Sequence, residues 1–117
     1  MTSSAPIKKD ENAIQRLNTE SQIFRTIISA IHEKGGTRVI SINLREIPEA
    51  VSDYFVICEA ESAPQVRAIA EQVERSVKEK LKELPYEKEG FDSLHWIILD
   101  YVNIVVHIFQ PELRSFY

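Results

Sequence analysis

The stretch from His95 to Phe109, HWIILDYVNIVVHIF, constrains the fold more than any other part of the chain. It consists of two runs rich in β-branched and aromatic residues, separated only by Val102 and Asn103. Such runs favour β-strands, and a connection of two residues favours an antiparallel hairpin. The sequence therefore predicts paired strands over residues 96–101 and 104–109.

The register of this hairpin sorts its side chains into two faces. If Tyr101 lies opposite Ile104, directly opposed residues share a face and successive residues alternate between faces. One face is predicted to contact the core: Ile97, Leu99, Tyr101, Ile104, Val106 and Ile108. The other, which we call the outer face, combines large aromatic residues with one acid and one imidazole, which is unusual for a sheet face exposed to solvent: Trp96, Ile98, Asp100, Val105, His107 and Phe109. The outer face is therefore the candidate site.

Apolar periodicity and capping residues predict the helices. Thr19 opens a capping-box pattern, and apolar residues then recur at helical intervals, which predicts a helix over residues 20–34. Ser62 opens the same pattern before a longer apolar stripe, which predicts a second helix over residues 63–82. Pro111 is suited to the first position of a short terminal helical turn.

Three further segments resemble strands. Residues 54–59 form a near-continuous apolar run, which suggests a central strand, and residues 86–91 suggest a short edge strand. Residues 38–44 alternate strictly, as in a half-buried strand. We expect this strand to turn one set towards the helices and the other away from them: Ile40, Ile42 and Leu44 inwards, and Val39, Ser41 and Asn43 outwards.

The order α-β-β-α-β-β-β predicts an α/β (α+β) domain, a mixed sheet of about five strands with helices packed on it. A chain of 117 residues suits one domain, which we place at residues 19–117, after a flexible polar leader at residues 1–18. No run approaches the roughly 20 apolar residues of a membrane span, and no signal peptide is recognisable. The single cysteine, Cys58, lies in an apolar run, which favours a buried thiol over a reactive one. We expect a cytoplasmic protein.

Charge and motifs limit the kinds of partner and chemistry. A net charge of −4 argues against a phosphate-dominated contact with nucleic acid and makes a basic protein the easier partner. The three histidines have no metal-ligand spacing, and no phosphate-binding glycine loop is present. Glu59 and Glu61, at a strand end, would suit Mg²⁺ in a divergent nucleotidyltransferase, although solvated acids beside a helix start are the better explanation. We predict no enzyme activity, cofactor or metal site.

The outer face has three interpretations. It is a partner interface, as Trp and Phe around a charge suggest, because such residues dominate interface energetics. In the second interpretation, the outer face is covered by the chain's own leader or by residues 111–117. Alternatively, it joins two copies of the chain in a homodimer.

Several segments together resemble a known family. They are S-D-Y-F-V-I (residues 52–57), Q-V-R-A-I-A-E-Q-V (65–73), W-I-I-L-D-Y (96–101), V-V-H-I-F (105–109) and R-S-F-Y (114–117). In this order and spacing they look like the ribosomal silencing factor family, also called Iojap-like, over roughly residues 20–117. The resemblance implies a mixed sheet related to nucleotidyltransferases without their catalytic residues. Val102-Asn103 stands where the family usually has Gly-Asp.

The resemblance also implies a function. Such proteins bind a basic protein on the intersubunit face of the large ribosomal subunit, the fourteenth in that subunit's series, and block joining of the small subunit. We therefore expect a translational repressor with Trp96 and Phe109 as apolar anchors, Asp100 as the acceptor for a Lys or Arg, and His107 as a polar contact or orienter. The full set of predicted partner-binding residues is Trp96, Ile98, Asp100, Tyr101, His107, Phe109 and Arg114.

Overall fold

The structure, a computed structural model, describes residues 21–114, and within them the side chains of residues 21–112. A helix, α1, occupies residues 21–33. The later elements follow in chain order: β1 (Thr37–Asn43), β2 (Tyr54–Glu59), α2 (Ala63–Leu81), β3 (Glu87–Glu89), β4 (Trp96–Asp100), β5 (Ile104–Phe109) and α3 (Pro111–Arg114). This order confirms the predicted α+β class. The leader predicted for residues 1–18 lies outside the described residues.

The five strands form one mixed sheet in the order β1-β2-β5-β4-β3. β2 and β5 run parallel, whereas the other neighbouring pairs are antiparallel. β2 lies between two strands, as its apolar run predicts, and β3 forms an edge. The predicted hairpin register is confirmed, with Trp96 opposite Phe109 and Asp100 opposite Val105.

α1 and α2 both pack on one face of the sheet, which we call the inner face. Their apolar stripes form a single cluster with the side chains that the hairpin turns inwards. The hairpin members of this cluster are those predicted for the core: Ile97, Leu99, Tyr101, Ile104, Val106 and Ile108. Within residues 21–114, no helix is both long and apolar enough to span a membrane.

The start of α2 is fixed by its caps and tied to the end of α1. Ser62 is the N-cap, and its hydroxyl accepts a hydrogen bond from the backbone N–H of Gln65 at 3.2 Å. The Gln65 side chain in turn donates to the carbonyl oxygens of Lys34 and Gly35 at 3.0 and 3.1 Å. One glutamine therefore joins the two helices that cover the inner face.

The predicted orientation of β1 is wrong. Ile40 and Ile42 are 47% and 38% exposed, whereas Val39 packs against the core. The register places Ile40 opposite Ile57 and Ile42 opposite Phe55, so the isoleucines share a face with the outer side of the hairpin. Alternation along one strand reveals its two faces, but it does not show which of them the helices cover.

The hairpin turn contains a strained residue. Val102 has φ +75°, and the backbone N–H of Asn103 donates to the carbonyl oxygen of Tyr101 at 2.9 Å across it, which is the geometry of a γ-turn. Positive φ is unfavourable for a β-branched residue. Several hydrogen bonds hold the turn: the Asp100 carboxylate accepts from the N–H of Val102 at 2.7 Å, and the Asn103 carbonyl accepts from the N–H groups of Asp53 and Tyr54 at 2.9 and 3.0 Å.

Replacing Val102 by glycine is expected to stabilise the fold by about 1 kcal/mol. Relief of a strained backbone, worth roughly 1–3 kcal/mol, exceeds the roughly 0.5–1 kcal/mol that the flexibility of glycine costs. Little burial is lost, since Val102 is 54% exposed. Urea unfolding should show a higher midpoint with an unchanged slope. Asn103→Gly is the matched control, because Asn103 is not at positive φ, and it should lower the midpoint.

Candidate functional site

The outer face extends well beyond the hairpin. The strand registers align its side chains in two rows that run from β1 to β3. The first row is Ile42, Phe55, Val105, Asp100 and Glu87, and the second is Ile40, Ile57, His107, Ile98 and Glu89. Trp96 and Phe109 lie opposite each other next to the second row. The surface is apolar from β1 to β5 and acidic towards β3.

An aromatic cluster, formed by Trp96, His107 and Phe109, occupies the middle of the outer face. Trp96 stacks on Phe109, with ring centroids 5.0 Å apart and an angle of 21° between the rings. Its indole Nε1–H donates a hydrogen bond to Nδ1 of His107 at 3.1 Å. The His107 ring also lies 4.7 Å from that of Phe55. Phe109 and His107 thereby both help to fix the position of the Trp96 ring.

The protonation state of His107 follows from that hydrogen bond. An indole N–H can only donate, so Nδ1 of His107 must be unprotonated, and the neutral ring carries its proton on Nε2. Burial disfavours the charged imidazolium and lowers the pKa of His107 from 6.5 to about 4. The aromatic cluster is therefore uncharged at neutral pH.

Stability should fall as the pH is lowered from about 6.5 to about 4 because of His107. The unfolded chain takes up this proton near pH 6.5 and the folded chain only near pH 4. Between these values the unfolded state binds more protons, so acid favours unfolding, by on the order of 2–3 kcal/mol in total. Urea unfolding across this range measures the effect. His107→Gln isolates it from the carboxylates, and identical pH dependence in both proteins would contradict the assignment.

Asp100 lies where the apolar and acidic parts of the outer face meet. One carboxylate oxygen accepts the backbone N–H of Val102, and the residue directly opposite on β3 is Glu87. Within the described part of the chain, no Lys or Arg forms an ion pair with Asp100. Like charges on opposed strand positions repel. A cation brought by a partner would relieve this repulsion, which suits the predicted role of Asp100 as an acceptor.

The structure brings five of the seven predicted partner-binding residues together on the outer face: Trp96, Ile98, Asp100, His107 and Phe109. Tyr101 is separate, since it is 5% exposed and belongs to the inner-face cluster. Burial, with smaller contributions from Glu74 and Glu83, raises the pKa of its hydroxyl. Arg114 belongs to α3, and the contact predicted for its side chain lies outside the described side chains.

The two acids considered for Mg²⁺ lie in different environments. Glu59 is 5% exposed, and its carboxylate lies 3.6 Å from the guanidinium of Arg38. Glu61 is exposed. No group of three or more His, Cys, Asp or Glu side chains in residues 21–112 is placed to hold a metal ion.

Cys58 is fully buried in the core cluster.

Sequence reasoning missed the contribution of β1 and β2 to the candidate site. Ile42, Phe55 and Ile57 line the outer face beside the aromatic cluster. The signal that would have found them is the parallel pairing of β2 with β5, which places Phe55 and Ile57 next to Val105 and His107. That pairing joins strands distant in sequence and leaves no local pattern.

Comparison with known proteins gives a consistent result. A family model described as "Ribosomal silencing factor during starvation" matches residues 17–117. The chain is 31% identical to a Bacillus subtilis protein named ribosomal silencing factor RsfS, covering 84% of this chain and 81% of that protein. It is 34% identical to the mouse protein named mitochondrial assembly of ribosomal large subunit protein 1, covering 56% of this chain and 30% of the mouse protein. A crystal structure of a Chromobacterium violaceum protein superposes with a TM-score of 0.77 at 25% identity, covering 83% and 79% of the two chains.

Proposed function

Because this chain belongs to the ribosomal silencing factor family, we propose that it represses translation by occupying the intersubunit face of the large ribosomal subunit. It binds there, in the cytoplasm, to a basic protein, the fourteenth in that subunit's series, and blocks joining of the small subunit by steric exclusion. The name of the mouse relative refers to the large subunit, which supports the choice of subunit.

The observation that carries the proposal is the composition of the outer face. Aromatic and aliphatic side chains lie in register across β1, β2, β5 and β4, and the acids Glu87, Glu89 and Asp100 border them. Buried aromatic anchors with a charged rim are typical of protein interfaces. The acidic rim favours a basic partner, because complementary charge accelerates association and disfavours acidic surfaces.

Each residue has a distinct part in the proposed contact. Trp96 provides apolar area. Phe109, which is 1% exposed, supports the indole by stacking on it, and His107 holds the indole in place through its Nδ1. Asp100 accepts a hydrogen bond from a Lys or Arg of the partner. Glu87 and Glu89 are exposed, so they act mainly on the rate of association rather than on the lifetime of the complex.

Sedimentation with separated ribosomal subunits tests the function. The protein should travel with large subunits and not with small ones, and excess protein should reduce the yield of joined ribosomes when small subunits are added. Adding the protein after joining should have much less effect, because the surface is then occupied. Binding to large subunits without any loss of joining would contradict steric exclusion, and binding to neither subunit would contradict the proposal as a whole.

A further inference from the structure

A cavity of about 220 Å³ opens on the outer face between β1 and the aromatic cluster. Its walls are Ile42, Phe55, Ile57, Trp96, His107 and Phe109. The polar groups among them are the indole and imidazole nitrogens, and the indole N–H is already donated to Nδ1 of His107. Because His107 is neutral at neutral pH, the cavity walls are uncharged, and they are apolar apart from the ring nitrogens, of which Nε2 of His107 is buried and has no hydrogen-bond partner in the described part of the chain.

The size of the cavity indicates what it can hold. Sites for small-molecule ligands usually enclose about 300–1,000 Å³, which is more than this cavity offers. By contrast, a dry apolar cavity of about 150 Å³ accommodates a molecule the size of benzene. The space therefore suits one large aliphatic or aromatic side chain.

The surrounding charge indicates which kind of protein supplies that side chain. The acidic rim lies towards β3, whereas the cavity lies towards β1 on the same face. Two strand spacings separate Phe55 on β2 from Asp100 on β4, which is roughly 10 Å at about 4.8 Å per strand. A basic protein that carries an exposed apolar side chain at about this distance from a Lys or Arg matches both features.

We propose, building on the function proposed above, that the basic large-subunit partner inserts one apolar side chain into this cavity. β1 and β2, through Ile42, Phe55 and Ile57, then form part of the interface and select the side chain by its shape. The aromatic cluster provides the opposite wall. The contact with Asp100 fixes the direction in which the partner lies across the sheet.

A pair of substitutions on one strand tests this inference. Ile42→Tyr places a larger side chain at the rim of the cavity and obstructs it. Ile40→Tyr is the matched control, because Ile40 is similarly exposed on the same strand and face but is not a wall of this cavity. Both variants retain Trp96 as the single tryptophan, so its emission reports whether the aromatic cluster is intact.

Binding to purified large subunits is measured at several salt concentrations. We expect Ile42→Tyr to weaken binding by roughly 10-fold or more, through faster dissociation and with the wild-type salt dependence, because apolar contacts act on the lifetime of a complex. Ile40→Tyr should stay within about 3-fold of wild type. Equal affinities of the two variants, with the wild type binding normally, would overturn the inference alone. A changed salt dependence in Ile42→Tyr would identify a cation in the cavity and would also overturn it. A wild type that does not bind would instead overturn the proposed function, and the inference with it.

Discussion

Replacing Trp96 by alanine should weaken binding to large ribosomal subunits by about 30-fold or more. Removal of a central aromatic anchor typically costs on the order of 2 kcal/mol or more, which corresponds to that factor. Trp96 qualifies as an anchor because its ring is held by the stack on Phe109 and by the hydrogen bond to His107. Equilibrium binding to purified large subunits measures the loss. The inner-face cluster does not include Trp96, so the variant should still unfold cooperatively.

Two further variants separate the loss of an anchor from general damage. Trp96→Phe keeps an aromatic ring but is smaller than the indole and loses the N–H that is donated to His107, so it should lose less affinity than Trp96→Ala. Tyr86→Ala removes another aromatic side chain that is 75% exposed and lies just before β3, and it should bind like the wild type. Undiminished binding by a folded Trp96→Ala protein would remove the aromatic cluster from the mechanism.

Gly90→Ala should destabilise the protein by roughly 3 kcal/mol or more. Gly90 has φ +92°, and a Cβ there would lie 2.0 Å from the carbonyl oxygen of Trp96. Backbone strain and a clash with backbone atoms therefore act together. The clash is resolved only if the connection between β3 and β4 shifts, which would displace Trp96 as well. Urea unfolding should show a much lower midpoint, and binding to large subunits should fall in parallel.

Gly35→Ala is the matched control for backbone strain without a fixed obstacle. Gly35 also has positive φ, at +80°, but the nearest atom to its Cβ would be the side-chain amide nitrogen of Gln65 at 2.9 Å. This amide can move, at the expense of the hydrogen bonds that it donates to Lys34 and Gly35. We expect a loss of about 1–2 kcal/mol. A Gly90→Ala protein that is no less stable than Gly35→Ala would show that the backbone near Trp96 can yield.

The register and the two faces of the hairpin could be predicted from sequence because they depend on local information, whereas the γ-turn at Val102 was not predicted. Both strands alternate clearly, and a connection of two residues leaves one register that pairs their apolar sides. That register alone placed Trp96, Asp100 and His107 on one face. It also placed Tyr101 on the other face, where the structure has it, although the family resemblance groups it with the partner-binding residues.

The part of the outer face that was not predicted from sequence lies on β1 and β2, and it depends on contacts between segments that are distant in the chain. Whether Ile40 and Ile42 point inwards or outwards depends on how β1 joins β2, and that choice was wrong. The bond between Trp96 and His107 was also beyond prediction, because it needs the side-chain geometry and not only the register. Sequence therefore predicted only the half of the outer face that the hairpin forms. The cavity could not be predicted, because it forms only when β2 lies beside β5.

The position of β5 has a consequence for the order in which the protein folds. β5 pairs with β2 on one side and with β4 on the other, so it closes the sheet at its centre. During synthesis, β1, β2 and α2 are complete before residues 104–109 are added, but β2 then still lacks its parallel neighbour. Contacts this distant in sequence form late and slowly. The outer face of a nascent chain is therefore incomplete until residues 104–109 have been added and have paired with both β2 and β4.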